Sequence, residues 1–184
     1  MESKRLLWLT LVPLFTALIT VGAYIRIPTP FIPITFQVFF VILTGLLLGP
    51  KMAVYSTLVY LLLGLFGIPV FTEGGGFSYI FKPTFGYIIG FVFGSFVTGT
   101  LSFRKNDKYP SFKRMVMAFL LGVLTIYLFG VTYFLFVAKA VLNLPLTVSA
   151  ILTYGFLMVI PGDLITGVIA VLIAKRLNPI LKIR

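Results

Sequence analysis

The sequence predicts an all-α integral membrane protein with six transmembrane helices and both termini in the cytoplasm. Of its 184 residues, 60% are hydrophobic and 10% are charged, whereas soluble domains are about half apolar and about a quarter charged. The apolar residues form runs long enough to cross a bilayer, which takes about 20 residues per helix. The basic residues collect in alternate connections. The length suits a single membrane domain, residues 1–184.

Six apolar segments are interpreted as the spans. Residues 34–66 are apolar for longer than one span requires, but Gly49 and Pro50 end one helix there and Lys51 marks an interface. We therefore expect a tight hairpin of two helices within this stretch. The predicted spans cover approximately residues 6–24, 34–48, 52–66, 84–101, 114–139 and 162–178.

The last third of the chain is apolar from residue 146 to residue 174 but contains Pro161, Gly162 and Asp163. Proline is well placed in the first turn of a helix. We therefore expect a short helix at the outer face, residues 148–159, followed by the last span. The alternative is one long kinked helix.

The charges of the connections predict the orientation. Of the 15 lysines and arginines, only Arg26, Lys82 and Lys139 fall on one side of the predicted spans. Connections rich in basic residues stay in the cytoplasm, so both termini should be inside and the number of spans even. The basic residues on the cytoplasmic side are Lys4, Arg5, Lys51, Arg104, Lys105, Lys108, Lys113, Arg114, Lys175, Arg176, Lys182 and Arg184.

The composition argues against several kinds of function. There is no cysteine and no histidine, so a thiolate nucleophile, the usual metal ligand and the base that titrates near neutral pH are all missing. With only four acidic residues, neither enzymatic activity nor a metal site is expected. Basic residues at helix ends, which meet anionic lipid, explain the net charge of +11. The expected partner is therefore the lipid bilayer and not nucleic acid.

Two outer connections are expected to carry function. Residues 25–35 contain three prolines, whose fixed φ and missing N–H predict a stiff extended loop suited to act as a lid. Residues 67–84 contain Gly74, Gly75 and Gly76 between aromatic residues. Glycines let the backbone approach a ligand closely. The alternative is a flexible surface turn.

Three isolated polar side chains point toward the same outer region. Gln37 begins the second span, Asp163 lies in the first turn of the last helix, and Lys139 ends the fifth span. Ionisable groups in membrane segments usually mark a ligand site or a paired charge. The alternatives are a hydrogen bond to a neighbouring helix for Gln37, a helix cap for Asp163, and extension of Lys139 to the lipid headgroups.

An outward-facing pocket follows from these features. A few convergent polar groups among aromatic side chains suit a small, mostly apolar ligand with one polar end. The aromatic walls are expected from Phe36, Phe71, Phe77, Tyr79 and Tyr87.

Three stretches carry a resemblance to a known family: IPTPFIPITFQVFFVILTGLLLGPKMAVYSTLVYLLLGLFGIPVF at 27–71, KPTFGYIIGF at 82–91 and PGDLI at 161–165. The chain resembles, over about residues 13–175, the BioY family of biotin-specific S components of energy-coupling factor (ECF) transporters. The resemblance implies an S-component-like bundle that captures biotin from outside a prokaryotic plasma membrane. It also implies a membrane coupling protein (the T component) and two ABC ATPases as partners, with no cofactor in this chain.

The resemblance implies roles for the candidate residues. The ureido ring of biotin offers two N–H donors and a carbonyl acceptor. Asp163 is expected to accept a ureido N–H, and Gln37 to donate, accept or do both. The backbone of Gly74–Gly76 and the hydroxyl of Thr84 are expected to complete the polar set.

One position departs from the family pattern, which has a lysine three residues after the aspartate of the PGD motif. That position is Thr166 here. The biotin carboxylate then takes its cation from Arg26, Lys82 or Lys139, or Thr166 supplies a neutral hydrogen bond. The third alternative is a different ligand preference, such as a biotin precursor.

The resemblance also implies that the first helix docks on the coupling protein, through small residues four apart that let helices approach closely. The candidates are Thr16 with Thr20 and Ala17 with Val21. Ordinary packing within the bundle is the alternative.

Three further functions stay open at this point. An S component for another vitamin would bind that vitamin and not biotin. A structural membrane protein without a small ligand would tolerate apolar replacement of Gln37 and Asp163. A membrane enzyme would turn over its bound ligand.

Overall fold

The computed structural model describes residues 2–103 and 109–181, without the side chains of residues 2–5. It is helical apart from one two-residue ladder, in which Arg26 pairs with Thr35 and Ile27 with Ile34. The elements in chain order are α1 (Glu2–Tyr24), β1 (Arg26–Ile27), β2 (Ile34–Thr35), α2 (Gln37–Leu65), a 3-10 helix (Phe77–Phe81), α3 (Phe85–Ser102), α4 (Phe112–Ala140), α5 (Val148–Leu152), a π-helical turn (Thr153–Leu157) and α6 (Ile160–Leu181).

Five helical segments in the described part of the chain are long and apolar enough to cross a membrane. The residues 104–108 and 182–184, which hold five of the basic residues counted for the orientation, lie outside the described residues. The five segments are Leu6–Tyr24, Gln37–Leu65, Phe85–Ser102, Phe112–Ala140 and Val148–Leu181.

The α2 segment is bent sharply at Gly49, whose backbone has φ 75° and ψ 178°. In a straight helix, Gln37 and Tyr60 would lie about 35 Å apart at 1.5 Å per residue. Instead, the Gln37 amide donates to the Tyr60 hydroxyl over 2.7 Å. The two halves of α2 therefore lie side by side, and the chain reverses where glycine permits positive φ and Pro50 follows.

The last helical run contains a π-helical turn between α5 and α6. The N–H of Met158 donates to the carbonyl of Thr153, five residues earlier, over 3.0 Å. Within this turn, the carbonyl of Gly155 accepts from the hydroxyl of Tyr87 on α3 over 2.5 Å. Such turns are frequent at functional sites, and this one lies directly before the helix that carries Asp163.

The α3 helix packs closely between α2 and α4. A Cβ on Gly90 would lie 2.7 Å from the carbonyl oxygen of Ile126, and one on Gly94 would lie 2.5 Å from the Ile126 side chain. Only glycine permits this approach of two helices. This contact holds α3 closely against α4, the helix that carries Tyr127.

The α1 helix corrects one expectation. The side chain of Thr16 is 4% exposed, and its hydroxyl donates to the carbonyl of Ser56 on α2 over 3.0 Å. The prediction that Thr16 forms part of a docking face is therefore wrong, because it is covered within the bundle itself. Thr20 is half-buried, whereas Ala17 and Val21 are exposed on the opposite side of α1.

Candidate functional site

A small cavity lies at the end of the bundle where the loop of residues 25–35 meets the beginnings of α2, α3 and α6. Its volume is about 40 Å³, which is room for a few water molecules. Four of the predicted site residues line it: Gln37, Thr84, Tyr87 and Asp163. The other lining residues are Ile32, Pro33, Thr35, Val38, Thr72, Ile88, Phe91 and Val159.

Gln37 is held by three polar neighbours although it is only 4% exposed. Its amide nitrogen donates to the Tyr60 hydroxyl over 2.7 Å. Its amide oxygen accepts from the hydroxyls of Thr72 over 3.2 Å and Thr35 over 3.4 Å. The Tyr60 hydroxyl in turn donates to the carbonyl of Val70 over 3.1 Å. This network fixes which atom is the oxygen and which is the nitrogen, so the amide presents a defined pattern to the cavity.

Asp163 is the acidic residue of the cavity and is 2% exposed. Its Oδ2 accepts from the Tyr127 hydroxyl over 2.6 Å. The ring of Tyr127 stands edge-on to the rings of Tyr87 and Phe156, with centroids 5.8 Å and 5.2 Å away. Packed rings hold the tyrosine and hence the carboxyl group in one orientation. None of the described lining residues is basic.

The loop of residues 25–35 covers the cavity. Its two ends pair as β1 and β2, and the hydroxyl of Thr29 donates to the carbonyl of Ile32 over 2.6 Å. Phe31 at the tip packs on Phe134 and Tyr154, with ring centroids 5.7 Å and 5.2 Å away. Pockets for small organic ligands usually hold roughly 300–1,000 Å³. We therefore expect the cavity to enlarge when a ligand binds, and movement of this loop would enlarge it.

The triple-glycine loop does not line the cavity. Gly74 and Phe71 exchange backbone hydrogen bonds, and the N–H of Gly76 donates to the carbonyl of Gly64 over 2.7 Å. Both Gly74 and Gly76 have positive φ, which glycine adopts without strain. The structure thus shows a tight turn fastened to the end of α2, and the expectation that Gly74, Gly75 and Gly76 face the ligand is not met in this conformation.

The aromatic residues divide into lining, supporting and exposed groups. Tyr87 lines the cavity, while Tyr79 lies behind it and accepts from the Thr84 hydroxyl over 3.1 Å. Burial raises the pKa of Tyr79, so its hydroxyl stays neutral. Phe71 is also buried behind the cavity and packs on Tyr79.

Two more of the five expected aromatic wall residues lie away from the cavity, so Tyr87 is the one of the five that lines it. Phe77 is 73% exposed at the beginning of the 3-10 helix. Phe36 is half-buried against Phe39 and Phe40 and does not line the cavity. Phe91, one turn after Tyr87 on α3, is an aromatic lining residue that the sequence did not single out.

The candidate cations differ in the contacts that they make near the cavity. Arg26 donates to the backbone carbonyl of the lining residue Thr72. Lys82 forms an ion pair of 2.5 Å with Glu73 and lies 5.2 Å from the ring centroid of Tyr79. Lys139 is exposed in the last turn of α4. Arg26 is therefore the cation joined to the cavity wall by a hydrogen bond.

Thr166 does not replace a cavity-facing cation. Its hydroxyl donates within its own helix, to the carbonyls of Gly162 over 3.0 Å and Asp163 over 3.3 Å. It is half-buried and does not line the cavity. A neutral hydrogen bond from Thr166 to a ligand would first require these contacts to break.

Tyr127, Tyr60 and Thr72 are functional candidates that sequence reasoning missed. Tyr127 lies in the middle of an apolar run and is one of nine tyrosines in the chain. Its importance arises from contact with Asp163, which is 36 residues away. Thr35, another partner of Gln37, could have been found from the sequence. It lies two residues before Gln37, and short polar side chains often bond to neighbouring backbone and side-chain groups.

Comparison with known proteins identifies the family. A family model described as "BioY family" matches residues 1–183. A probable biotin transporter BioY from Lysinibacillus sphaericus is 37% identical over 182 residues, covering 99% of this chain and 92% of that protein. The biotin transporter BioY of Thermotoga maritima is 39% identical over 166 residues, covering 90% of this chain and 92% of that protein.

A solved structure has the same fold. It is a crystal structure of the S component for biotin from an ECF-type ABC transporter, with a TM-score of 0.79 and 28% sequence identity. The match covers 97% of this chain and 94% of that one. The model match over nearly the whole length, the two relatives and this structure agree, and the chain belongs to the BioY family.

Proposed function

We propose that this chain captures biotin from the outer side of a prokaryotic plasma membrane and serves as the S component of an ECF-type ABC transporter. A membrane coupling protein and two ABC ATPases would drive delivery to the cytoplasm. Its relatives are biotin transporters, and the similar solved structure is an S component for biotin. The protein itself would bind and release its ligand without changing it.

One observation of the site carries the proposal: a buried amide and a buried carboxyl group line the same apolar cavity. Gln37 and Asp163 are the two lining side chains with the richest hydrogen-bonding capacity. The lining also includes apolar residues such as Val38, Ile88 and Phe91. Biotin is complementary to such a lining, because its polar ureido group is fused to an apolar ring that carries a mostly apolar tail.

The hydrogen bonds already made define what each group can offer. Tyr127 occupies Oδ2 of Asp163, which leaves the second oxygen to accept a ureido N–H. Tyr60 takes one of the two Gln37 amide hydrogens, which leaves the other for the ureido carbonyl. The hydroxyl of Thr84 lines the same cavity and can add a further bond.

Arg26 is the cation that we assign to the biotin carboxylate. It lies at the foot of the lid loop and bonds to the wall residue Thr72. Arginine matches a carboxylate with two parallel N–H donors. Lys82 is less suited, because its charge is already paired with Glu73.

The proposed arrangement in the membrane has six spans, with the two halves of α2 counted separately and both termini in the cytoplasm. The reversal at Gly49 places Lys51 at the end opposite the cavity. For docking on the coupling protein, we propose the exposed side of α1 that carries Ala17 and Val21, with Thr20 at its margin.

The test is transport in a defined system. The purified chain, its coupling protein and its two ATPases are reconstituted in liposomes, and uptake of radiolabelled biotin is measured. We expect ATP-dependent uptake that unlabelled biotin blocks and an unrelated vitamin such as riboflavin leaves unchanged. Uptake blocked by riboflavin instead, with no competition by biotin, would overturn the substrate assignment.

A further inference from the structure

The hydrogen bonds around Gln37 run in one direction, which is set by a backbone carbonyl. The carbonyl of Val70 can only accept, so the Tyr60 hydroxyl donates to it over 3.1 Å. Tyr60 therefore accepts from Gln37, and the amide nitrogen lies on this side, 2.7 Å away. The amide oxygen faces Thr72 and Thr35. Because this oxygen cannot donate, both hydroxyls donate to it.

The other two hydroxyls that line the cavity, those of Thr84 and Tyr87, also have their hydrogens committed. Tyr87 donates to the carbonyl of Gly155 over 2.5 Å, and Thr84 donates to the Tyr79 hydroxyl over 3.1 Å. Among the described lining side chains, the second amide hydrogen of Gln37 is the one donor left for a ligand. A ligand therefore meets several acceptors but a single side-chain donor.

The amide oxygen of Gln37 has no room for a ligand N–H in this arrangement. An amide oxygen has two lone pairs, and Thr72 and Thr35 occupy both. Gln37 can then offer its N–H to the ureido carbonyl, as in the proposed function, but nothing to the N–H groups that flank this carbonyl. Asp163 can accept one of them, so the other needs an acceptor on a different residue.

Thr72 provides that acceptor beside Gln37. It lines the cavity, is 6% exposed, and its hydroxyl oxygen lies 3.2 Å from the Gln37 amide oxygen. A hydroxyl oxygen has two lone pairs, so Thr72 keeps one for a ligand even where the neighbouring Tyr79 donates to the other. Its backbone is held by Arg26, which donates to its carbonyl. Thr35 is less available, because its hydroxyl also accepts from the backbone N–H of Gln37.

We propose that Thr72 accepts one of the two ureido N–H groups and that the cavity selects its ligand by the number of N–H donors in the head group. The inference rests on the proposed function, in which Asp163 accepts the other N–H and Gln37 donates to the carbonyl. The preferred ligand class is then a cyclic urea, which has a donor on each side of one acceptor.

A head group with fewer donors should bind more weakly. A ring oxygen in place of one N–H would face an acceptor of the protein and leave that buried group unpaired. Sites built to bond a polar group reject analogues that lack it for this reason. Thr72 is therefore a specificity-determining residue, and it distinguishes ligands that share the same carbonyl, apolar ring and tail.

The experiment compares biotin with the two carbamate analogues in which a ring oxygen replaces one or the other ureido N–H. Binding to the detergent-purified full chain is measured by competition against radiolabelled biotin. Thr72→Val keeps the shape of the side chain but removes its hydroxyl, whereas Thr72→Ser retains the hydroxyl. The control at another position is Thr125→Val on α4, which removes a hydroxyl that donates to the carbonyl of Leu121 outside the cavity.

We expect the parent to bind biotin at least about tenfold more tightly than either carbamate. Thr72→Val should lose about tenfold in affinity for biotin but keep its affinity for one carbamate, so that the preference for biotin over that analogue nearly disappears. The preference over the other carbamate, which lacks the N–H assigned to Asp163, should persist. Thr72→Ser and Thr125→Val should resemble the parent.

Three outcomes would overturn the inference and leave the proposed function standing. A parent that binds biotin and both carbamates equally does not select by N–H donors. A Thr72→Val variant that keeps the parent's affinity for biotin shows that Thr72 makes no bond to it. Equal losses by this variant for all three ligands would mean that Thr72 acts through Gln37 or the fold. A parent that binds none of the three refutes the proposed function, and this inference with it.

Discussion

The carboxyl group of Asp163 is positioned by a residue on another helix. Tyr127 on α4 donates to its Oδ2 over 2.6 Å, and the rings of Tyr87 and Phe156 confine the tyrosine from two sides. A buried side chain that holds one carboxyl oxygen leaves the other with a defined direction. Tyr127 therefore acts through Asp163 and is a positioning residue in the proposed site.

Removing the Tyr127 hydroxyl should weaken biotin binding. Tyr127→Phe keeps the ring but deletes the bond to Asp163, at a cost of about 1–2 kcal/mol, or about tenfold in Kd. Calorimetric titration of the purified variant measures the change. The matched control is Tyr133→Phe, which deletes a bond to the carbonyl of Ile80 outside the cavity. Equal losses in the two variants would show that the effect is general destabilisation.

Arg26 should discriminate the charge at the end of the biotin tail. Arg26→Gln is expected to weaken binding of biotin about tenfold and to leave binding of biotinamide, whose carboxylate is a neutral amide, nearly unchanged. Lys139→Gln removes a cation that lies outside the cavity and should affect neither ligand. If Arg26→Gln weakens both ligands equally, the arginine supports the loop instead of contacting the carboxylate.

At the residue scale, the sequence indicates the side chains that are unusual for their surroundings. Gln37 and Asp163 are polar groups in apolar runs, and both line the cavity. Their partners Tyr60 and Tyr127 could not be found this way, because a tyrosine in a membrane helix has several ordinary roles. Phe77 and Lys82 were expected at the site, but Phe77 is exposed and Lys82 is ion-paired with Glu73. Sequence position alone does not reveal exposure or pairing.

At the scale of elements, the lid loop and the beginning of α6 meet beside the cavity that both of them line. A Cβ on Gly162 would lie 3.4 Å from the Ile34 side chain, which is ordinary van der Waals contact. Ile34 belongs to β2, and Gly162 precedes Asp163 by one residue. Because the cavity of about 40 Å³ is smaller than a pocket for an organic ligand, we expect these elements to separate before a vitamin enters.

A disulfide between these two elements should block entry of biotin. The chain has no cysteine, so the double variant Ile34→Cys/Gly162→Cys contains just the engineered pair, at two positions whose side chains would be in van der Waals contact. We expect oxidised protein to bind radiolabelled biotin much more slowly than the same protein after reduction. The two single variants under the same oxidant are the controls.

An equal association rate in the oxidised and reduced forms would contradict this account of the lid. Complete cross-linking is verified first by the failure of a maleimide reagent to label the oxidised protein. Entry would then use a different opening, such as one beside the triple-glycine loop.

Some elements could be predicted from proline and glycine residues, whereas others have no such signal in the sequence. Gly49 and Pro50 indicate the reversal within α2, because glycine permits positive φ and proline has no backbone N–H to donate. The π-helical turn at Thr153–Leu157 has no such signal. It depends on tertiary contacts, among them the bond from Tyr87 to Gly155 and the packing of Phe31 on Tyr154.

For the whole molecule, the proposed six spans give a topology that single cysteines can test. Lys51→Cys lies next to the reversal in α2, and Lys139→Cys lies at the end of α4. In intact cells, a membrane-impermeant maleimide should label Lys139→Cys directly and Lys51→Cys after permeabilisation. Labelling of both from outside would contradict the hairpin and the cytoplasmic termini.

The whole bundle was predictable as a class, but its packing was not. Hydrophobic content and the distribution of basic residues predict a membrane helix bundle. On α1, residue spacing alone suggested Thr16 as readily as Ala17 for the docking face. The structure distinguishes the two, because Thr16 is buried against Ser56. Which side of a helix faces its neighbours depends on the positions of the other helices.

Calorimetric titration of biotin into the detergent-purified chain and its Asp163→Asn variant tests the central claim most directly. The protein is first unfolded mildly and refolded to remove carried-over ligand. We expect nanomolar binding by the parent and at least about tenfold weaker binding by the variant, or 1.4 kcal/mol, while Glu73→Gln outside the cavity binds like the parent. Parent binding that Asp163→Asn leaves unchanged would contradict the proposed site, and a parent that gives no heat with biotin would contradict the proposed substrate.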